Sequence, residues 1–213
     1  MTAAAFRDKI LAGDREGVEA LTRQALAAGA LPATIINDYL MPAMEEVGRL
    51  YEEGELFIPE MLMSAHAMQA SMAILKPLIV GDEVKTAGRA VIGTVQGDLH
   101  DIGKSLVAMM LESAGFEVYD LGTDVAPARF IEAVRQRRPA LVGMSAMLTT
   151  TMPHMKLTID ALEEAGLRGQ LIIMVGGAPL TPEYAQSIGA DGYAEDASSA
   201  VQLAKTLLAR RLS

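Results

Sequence analysis

An aspartate and a histidine separated by one residue stand out among the groups in this chain that could do chemistry. Asp98 and His100 lie in the segment 97–103 (GDLHDIG), directly after an apolar, β-branched stretch. A neutral imidazole is a common metal ligand, and a carboxylate bound to its second nitrogen fixes the tautomer and raises the basicity of the ligand. The spacing therefore predicts a histidine ligand with Asp98 as its hydrogen-bonding partner.

The rest of the sequence offers this histidine few companions. The chain has no cysteine and three histidines, of which the other two are His66 and His154. Without thiolates, cysteine nucleophiles and sulfur-ligated zinc or iron–sulfur sites are excluded. A metal held by one protein histidine needs further ligands, so the pattern favours a metal enclosed in a macrocycle with His100 as an axial ligand. A helix cap by Asp98 or Asp101, or a histidine satisfied in a turn, are alternatives at this point.

Composition limits the possible partners. The net charge is −9, with no long basic run and few aromatic residues, which argues against nucleic-acid binding. Hydrophobic residues make up 51% of the chain, as in globular proteins. The N-terminus lacks the apolar region of an export signal, and no uncharged run looks like a membrane span, so a cytoplasmic location is expected.

The elements that must position the Asp–His segment belong to an α/β domain predicted over residues 87–213. Five apolar strands alternate with five helices there, which predicts a flavodoxin- or Rossmann-like, doubly wound, five-stranded parallel sheet of order 2-1-3-4-5. In such a sheet, ligands bind at the carboxyl ends of the strands. The loops that arrive at this edge are 96–103, 145–151, 176–180 and 194–197. The predicted strands are Arg89–Val95, Glu117–Leu121, Ala140–Ser145, Leu171–Val175 and Gly192–Ala194.

Residues 1–86 show only helical signals, so a separate helical domain is predicted. Asp14 is expected to cap a helix over Arg15–Ala28, and Pro32 to open a second helix that Pro42 interrupts. Pro59 is expected at the first position of a long helix through Leu75. That gives four helical segments, and the polar, glycine-bounded residues 80–88 read as a linker and a hinge.

The segment Asp98-x-His100-x-x-Gly103, followed by Ser145 and by Gly176-Gly177 after later strands, resembles the signature of cobalamin-binding domains. The helical half with Phe57-Ile58-Pro59-Glu60-Met61-Leu62 extends the similarity to the cobalamin module of methionine synthase. The match is closer still to the free-standing corrinoid proteins of methyltransferase systems that use methylamines, methanol, methoxylated aromatics or betaines.

The resemblance implies roles for individual residues. His100 would be the lower axial ligand of cobalt, with the cofactor bound base-off/His-on, and Asp98 and Thr151 would extend a proton relay from it. The remaining implied cofactor-binding residues would line the corrin edge or hold the buried nucleotide tail; they are Gly97, Leu99, Asp101, Gly103, Ser145, Thr149, Gly176, Gly177 and Ala197.

The helical domain would act as a cap over the methyl-bearing face of the corrinoid. Ile58, Met61 and Leu62 share one helix face by their spacing, and Tyr51 matches a position where methionine synthase has Phe. These four residues are the implied cap residues.

The function that the resemblance implies is that of a methyl carrier. Cobalt(I) would accept a methyl group from a substrate-specific methyltransferase, and methyl-cobalt(III) would pass it to a second methyltransferase with a folate or thiol acceptor. The chain would be the corrinoid-carrying subunit without catalysis of its own, and a reductive activase would be a further partner.

Three other classes share parts of this pattern. A cobalamin-binding sensor would bind the cofactor without methyl transfer, but usually carries a further DNA-binding or signalling domain. The cobalamin module of a carbon-skeleton isomerase would share the histidine loop but lack the helical cap. A flavodoxin-like or receiver-like domain would need aromatic loops, or an aspartate where this chain has Ser145.

Overall fold

The computed structural model describes residues 2–78 and 86–212, which separate into two compact units. The first runs up to Thr86 and includes Ser113–Gly115, and the second takes up Ala87–Glu112 and the chain from Phe116 onward. Residues 79–85, which include most of the predicted linker 80–88, lie outside the described residues. None of the described helices is both long and apolar enough to cross a lipid bilayer.

The first unit consists of helices. Asp14 caps the second of them as predicted, because its carboxylate accepts the Gly17 N–H at 2.9 Å. An N-terminal helix was not predicted, since only Phe6 and Ile10 give it an apolar side. The elements are α1 (Ala3–Leu11), α2 (Arg15–Ala27), α3 (Pro32–Thr34), a π-helical segment (Ile35–Leu40), α4 (Met41–Glu52), α5 (Ile58–Leu75) and a 3₁₀ turn (Lys76–Leu78).

Pro42 does not interrupt the second predicted helix, and that expectation was wrong. The chain continues from α3 into α4 through the π-helical segment, where the Met41 N–H donates to the carbonyl of Ile36 five residues earlier. A proline inside an α-helix presses its ring on the carbonyl four residues before it. The wider π turn directly before Pro42 relieves this clash, so the helix bulges instead of ending.

The second unit is a five-stranded parallel sheet with the predicted order β2-β1-β3-β4-β5, which confirms the predicted fold class. Apolar, β-branched stretches form the strands, as expected for a sheet covered on both faces. The strands are β1 (Gly88–Thr94), β2 (Phe116–Asp120), β3 (Leu141–Ser145), β4 (Ile172–Gly176) and β5 (Gly192–Ala194). The helices are α6 (Ile102–Ser113), α7 (Pro127–Arg137), α8 (Pro153–Glu164), α9 (Pro182–Ser187) and α10 (Ala197–Leu212).

The two faces of this sheet differ in how tightly they are filled. On one face, Val91, Val142 and Ile173 are fully buried in a core with Phe130 of α7 and Leu162 of α8. The intervening residues of the central strands point to the opposite face. They lie side by side in register as Ile92, Gly143 and Met174, and this second face contains the cleft described below.

Candidate functional site

The predicted Asp–His pair forms at the carboxyl end of β1. The Nδ1 atom of His100 lies 2.7 Å from Oδ1 of Asp98, and the His100 backbone N–H donates to the same oxygen at 3.1 Å. The Asp98 side chain is fully buried, whereas 54% of the His100 side chain is exposed. The buried carboxylate therefore anchors one ring nitrogen, Nδ1, while about half of the His100 side chain stays exposed.

Two further hydrogen bonds stabilise the negative charge of Asp98. Its Oδ2 atom accepts the Met147 backbone N–H at 2.8 Å and the Thr151 hydroxyl at 2.7 Å. Burial raises the pKa of the Asp98 carboxyl, but hydrogen bonds from Met147, Thr151 and His100 outweigh burial and hold this pKa well below its usual range. The ionised carboxylate favours the tautomer with hydrogen on Nδ1, so the lone pair of Nε2 is available to a metal.

The Thr151 hydroxyl makes a testable contribution to this arrangement. We expect Thr151→Val, which keeps the shape but removes the donor, to lower the free energy of unfolding by about 1–3 kcal/mol at neutral pH, because a buried carboxylate loses a hydrogen bond. Urea-induced unfolding measures this difference. Thr151→Ser keeps the hydroxyl and is the matched control, so a serine variant as unstable as the valine variant would contradict the assignment.

We also expect the difference in stability between the Thr151→Val variant and the parent protein to depend on pH. Because the pKa of Asp98 is lowered on folding, its stabilising contribution is complete above the unfolded-chain value of about 3.9 and is lost as the pH falls further. Thr151→Val raises the folded pKa, so the stability gap between valine variant and parent should be widest at neutral pH and shrink below about pH 4. A gap that stays constant into acid would mean that Thr151 acts through packing instead.

Two residues that the sequence analysis did not identify, Thr94 and Asp124, hold the histidine loop by hydrogen bonds. The buried Thr94 donates its hydroxyl to the His100 carbonyl at 2.8 Å. The Asp124 carboxylate accepts the Gly97 N–H at 2.7 Å, and the Asp124 N–H donates to the Asp98 carbonyl at 2.9 Å. Asp124 has a left-handed backbone, with φ of 53°, and Gly97 has φ of 81°. Asp124, in the loop after β2, thus holds the start of the segment, and Thr94 at the end of β1 holds it at His100.

We expect Asp124→Ala to loosen this segment. The variant loses the acceptor for Gly97 and places a residue with a Cβ but no polar side chain in the left-handed region, which together should cost about 1–2 kcal/mol of unfolding free energy. Amide hydrogen exchange should show faster exchange in residues 97–100. Asp124→Asn keeps a side-chain oxygen and tolerates positive φ, so it should retain most of the protection from exchange. Equal exchange in both variants would contradict the role of the Asp124 side chain in holding this segment.

An apolar cleft of about 330 Å³ opens beside the histidine loop, between the sheet and the helices α6 and α10. Met147 connects the two features, because its side chain lines the cleft while its N–H binds Asp98. The floor runs along β3 from Ser145 to Leu141, a depth of about 13 Å at the usual rise per residue. The volume of the cleft lies within the range found for ligand pockets, which starts at about 300 Å³.

Small residues create this space. Gly143, Gly176 and Ala194 line the cleft from three neighbouring strands, and Ala197 and Ala200 line it from α10. Larger side chains at these five positions would fill the gap between sheet and helix.

The conformation of Gly177 adds a further constraint. This residue has φ of 137°, and a Cβ there would lie 1.9 Å from the Ala146 carbonyl oxygen. The second glycine of the pair is thus required by the protein's own backbone as well as by the space of the cleft.

The structure brings together some of the predicted cofactor-binding residues and leaves others on the surface. Those that line the cleft are Gly103, Ser145, Gly176, Gly177 and Ala197. Those that lie exposed outside its lining are Gly97, Leu99, Asp101 and Thr149. The individual roles of these residues stay predictions.

Several residues of this region were missed by sequence reasoning. Gly143 and Ala200 carry no chemistry, and Leu106, Val107 and Leu111 of α6 read as ordinary core. Exposed apolar side chains were a signal that only the structure gives. Leu99 is 74% exposed, Met147 38% and Leu148 43%, on the two loops around Asp98, and Ile102 at the start of α6 is 85% exposed.

The four predicted cap residues belong to the helical unit. Tyr51 lies near the C-terminal end of α4, and Ile58, Met61 and Leu62 lie in the first turns of α5. Ile58 is 46% exposed and Met61 is buried. Their role as a cap stays a prediction.

The donor set fits one axial position of a metal in a macrocycle. Among residues 2–78 and 86–212, no three His, Asp or Glu side chains are grouped so that they could hold a metal ion. The site instead offers one imidazole with an anchored Nδ1 and an apolar, glycine-floored cleft next to it. These residues fit a corrinoid: His100 would supply a nitrogen ligand to its metal, and the cleft would hold its long side arm.

Comparison with known proteins decides the family. A family model described as the B12 binding domain matches residues 88–202, and a second B12 binding domain model matches residues 2–76. The chain belongs to the cobalamin-binding corrinoid proteins. The predicted resemblance and the predicted corrinoid cofactor are thereby confirmed.

Similar proteins narrow the family further. The chain is 49% identical to dimethylamine corrinoid protein 1 of Methanosarcina acetivorans over 179 residues, 84% of each chain. It is 43% identical to trimethylamine corrinoid protein 2 of the same organism, over 96% of this chain and 95% of the other. The crystal structure of the methanol:cobalamin methyltransferase complex MtaBC from Methanosarcina barkeri matches with a TM-score of 0.89 and 33% identity, over 97% of this chain and 79% of that one. This corrinoid protein thus resembles those of methyltransferase systems.

Proposed function

We propose that this corrinoid protein is a methyl carrier that binds its cofactor base-off, with Nε2 of His100 as lower ligand and the nucleotide tail in the apolar cleft. One observation supports this above all: the Asp98–His100 pair, with about half of the His100 side chain exposed, lies beside a cleft whose wall residue Met147 also binds Asp98. A ligand whose metal sits over His100 can therefore reach the cleft with a side arm.

The residues of the chain have distinct tasks in this proposal. His100 supplies a nitrogen lone pair from a ring that Asp98 holds in one orientation. The ionised Asp98 favours the tautomer with hydrogen on Nδ1, which leaves a lone pair on Nε2. Thr151 and Met147 keep the negative charge on Asp98 by donating to its second oxygen. One hydrogen-bonded chain thus runs from Thr151 through Asp98 to His100.

The bound corrinoid supplies a cobalt centre that can accept and give up a methyl group. The names of the relatives point to methylamines as the source of this group, since they are corrinoid proteins for dimethylamine and trimethylamine. We propose a methylamine-specific methyltransferase as donor partner, a second methyltransferase as acceptor partner, a reductive activase, and a location in the cytoplasm. Pairing with a methyltransferase is supported by the MtaBC complex, in which a similar chain occurs.

Reconstitution followed by methyl transfer tests the proposal. The apoprotein is loaded with hydroxocobalamin, reduced, and mixed with the methyltransferase that co-purifies with it and with dimethylamine, trimethylamine or methanol in parallel. The expected result is an imidazole-ligated absorption spectrum and amine-dependent methylation of the protein-bound corrinoid. A bound corrinoid that no partner methylates would overturn the carrier function and favour the sensor alternative.

A further inference from the structure

The walls of the cleft are apolar where they are deepest. Leu141 and Met174 of the sheet and Leu111 of α6 line it and are 1%, 6% and 2% exposed. The backbone of the floor offers no free hydrogen-bonding edge, because β3 is paired with β1 on one side and β4 on the other. A group that reaches this depth therefore meets mainly the carbon and thioether sulfur atoms of these three side chains.

The polar residues of the lining are occupied or lie at its outer end. Lys104 donates to Asp120 on β2 and to the Ser105 hydroxyl. Asp196 accepts the Ser199 N–H at 2.8 Å, and Asp196 and its neighbour Glu195 are exposed.

Ser145 is the remaining polar member of the lining, at the carboxyl end of β3. Hydrogen bonding in the cleft is thus concentrated at the edge of the sheet that carries His100.

The lower base of a corrinoid is the heterocycle at the end of its nucleotide tail, and the lower bases of natural corrinoids differ in how many hydrogen bonds they can form. Benzimidazoles and purines are both planar, fused two-ring systems, so size alone does not separate them. Adenine carries an exocyclic amine and ring nitrogens on its six-membered ring, where a benzimidazole has carbon or methyl groups. Buried among Leu111, Leu141 and Met174, these polar groups would lose their bonds to water without replacement.

We infer that the cleft is a specificity site that selects corrinoids with a benzimidazole lower base over those with a purine base. This inference rests on the proposed function, since it requires the tail to enter the cleft. Apolar pockets reject a polar addition by a limited factor, so the cleft should contribute roughly ten- to hundredfold discrimination. The residues that set it are the apolar lining residues of β3, β4 and α6.

The test compares the parent apoprotein with a variant that places an amide in the wall. Dissociation constants are measured for cobalamin, for the cobamide with adenine as base, and for cobinamide, which has no base. Met174→Gln should lower the ratio of the adeninyl-cobamide constant to the cobalamin constant at least about fivefold, because the amide can bond to the purine. Any cost of detaching each base from cobalt in solution is the same for both proteins and cancels in this comparison.

Two controls keep the comparison decisive. Met174→Leu changes shape without adding a polar group and should leave the ratio within about twofold of the parent value. If Met174→Gln does not fold, Val107→Thr adds a hydroxyl to the α6 wall with little change of volume and should shift the ratio in the same direction.

The outcomes separate this inference from the proposed function. A ratio that Met174→Gln and Val107→Thr both leave unchanged, while Gly143→Val still weakens cobalamin binding more than cobinamide binding, overturns the base selectivity alone. If Gly143→Val weakens the binding of cobalamin and of cobinamide equally, the tail does not use the cleft, and the cleft's part of the proposed function fails as well.

Discussion

Replacing His100 by alanine should convert the protein-bound cobalamin from an imidazole-ligated to a water-ligated species at neutral pH. The Nδ1 atom of His100 is fixed on a buried, ionised Asp98, and this arrangement orients the exposed ring for a single ligand bond. The alanine variant has no nitrogen at that place. Removing a hydrogen-bonding partner of a metal ligand typically weakens metal binding about 10–100-fold, so loss of the ligand itself should weaken cobalamin binding by at least about that factor. Absorbance spectra and equilibrium dialysis measure both effects.

His66→Ala is the matched control for this experiment, because it removes an exposed imidazole from α5. It should leave the spectrum and the dissociation constant unchanged. Added free imidazole should restore the ligated spectrum of the His100 variant, since the cavity left by the side chain borders Asp98. An unchanged spectrum in His100→Ala would contradict the assignment of His100 as the cobalt ligand, and so would loss of the imidazole-ligated spectrum in His66→Ala.

The sheet could be predicted from the sequence because each of its strands is a short apolar run that ends in glycine or a polar loop. The alternation with helices then fixes a parallel sheet, and the order follows from common topology. The helical unit was harder. The helix α1 buries only Phe6 and Ile10, which gives a weak periodic signal, and the π-helical segment before Pro42 depends on the packing of its neighbours. Local propensity cannot distinguish a bulge from a break at a proline.

The candidate site also contains residues that the sequence predicted and residues that it did not. Asp98 and His100 were predicted because a carboxylate and an imidazole two residues apart carry recognisable chemistry. Asp124 and Thr94 were missed, since they act by hydrogen bonds to backbone atoms that are distant in sequence or belong to a loop. Gly143 was missed because a glycine inside a strand has no chemistry; its meaning appears only when its neighbours Ile92 and Met174 are seen to face the cleft.

Replacing Gly143 by valine should weaken cobalamin binding, and this is the second large effect that we expect. A valine at this position would project from the middle of the cleft floor, where a Cβ already lies 3.1 Å from Cγ2 of Ile92. Valine suits a strand, so the sheet should still form, but the remaining carbons would occupy space that the nucleotide tail needs. Overpacking of this kind costs about 1–3 kcal/mol, which corresponds to roughly ten- to hundredfold weaker cobalamin binding.

The neighbouring residue supplies a control for this variant. Val142 points to the opposite, filled face of the sheet, so Val142→Ile should lower the stability of the protein without changing the dissociation constant for cobalamin. Gly143→Val should show the reverse pattern, with weaker binding of cobalamin and little change for cobinamide, which has no tail to place. If Gly143→Val weakens both ligands equally, the valine disturbs the loop that holds His100, and the cleft is not the place where the tail binds.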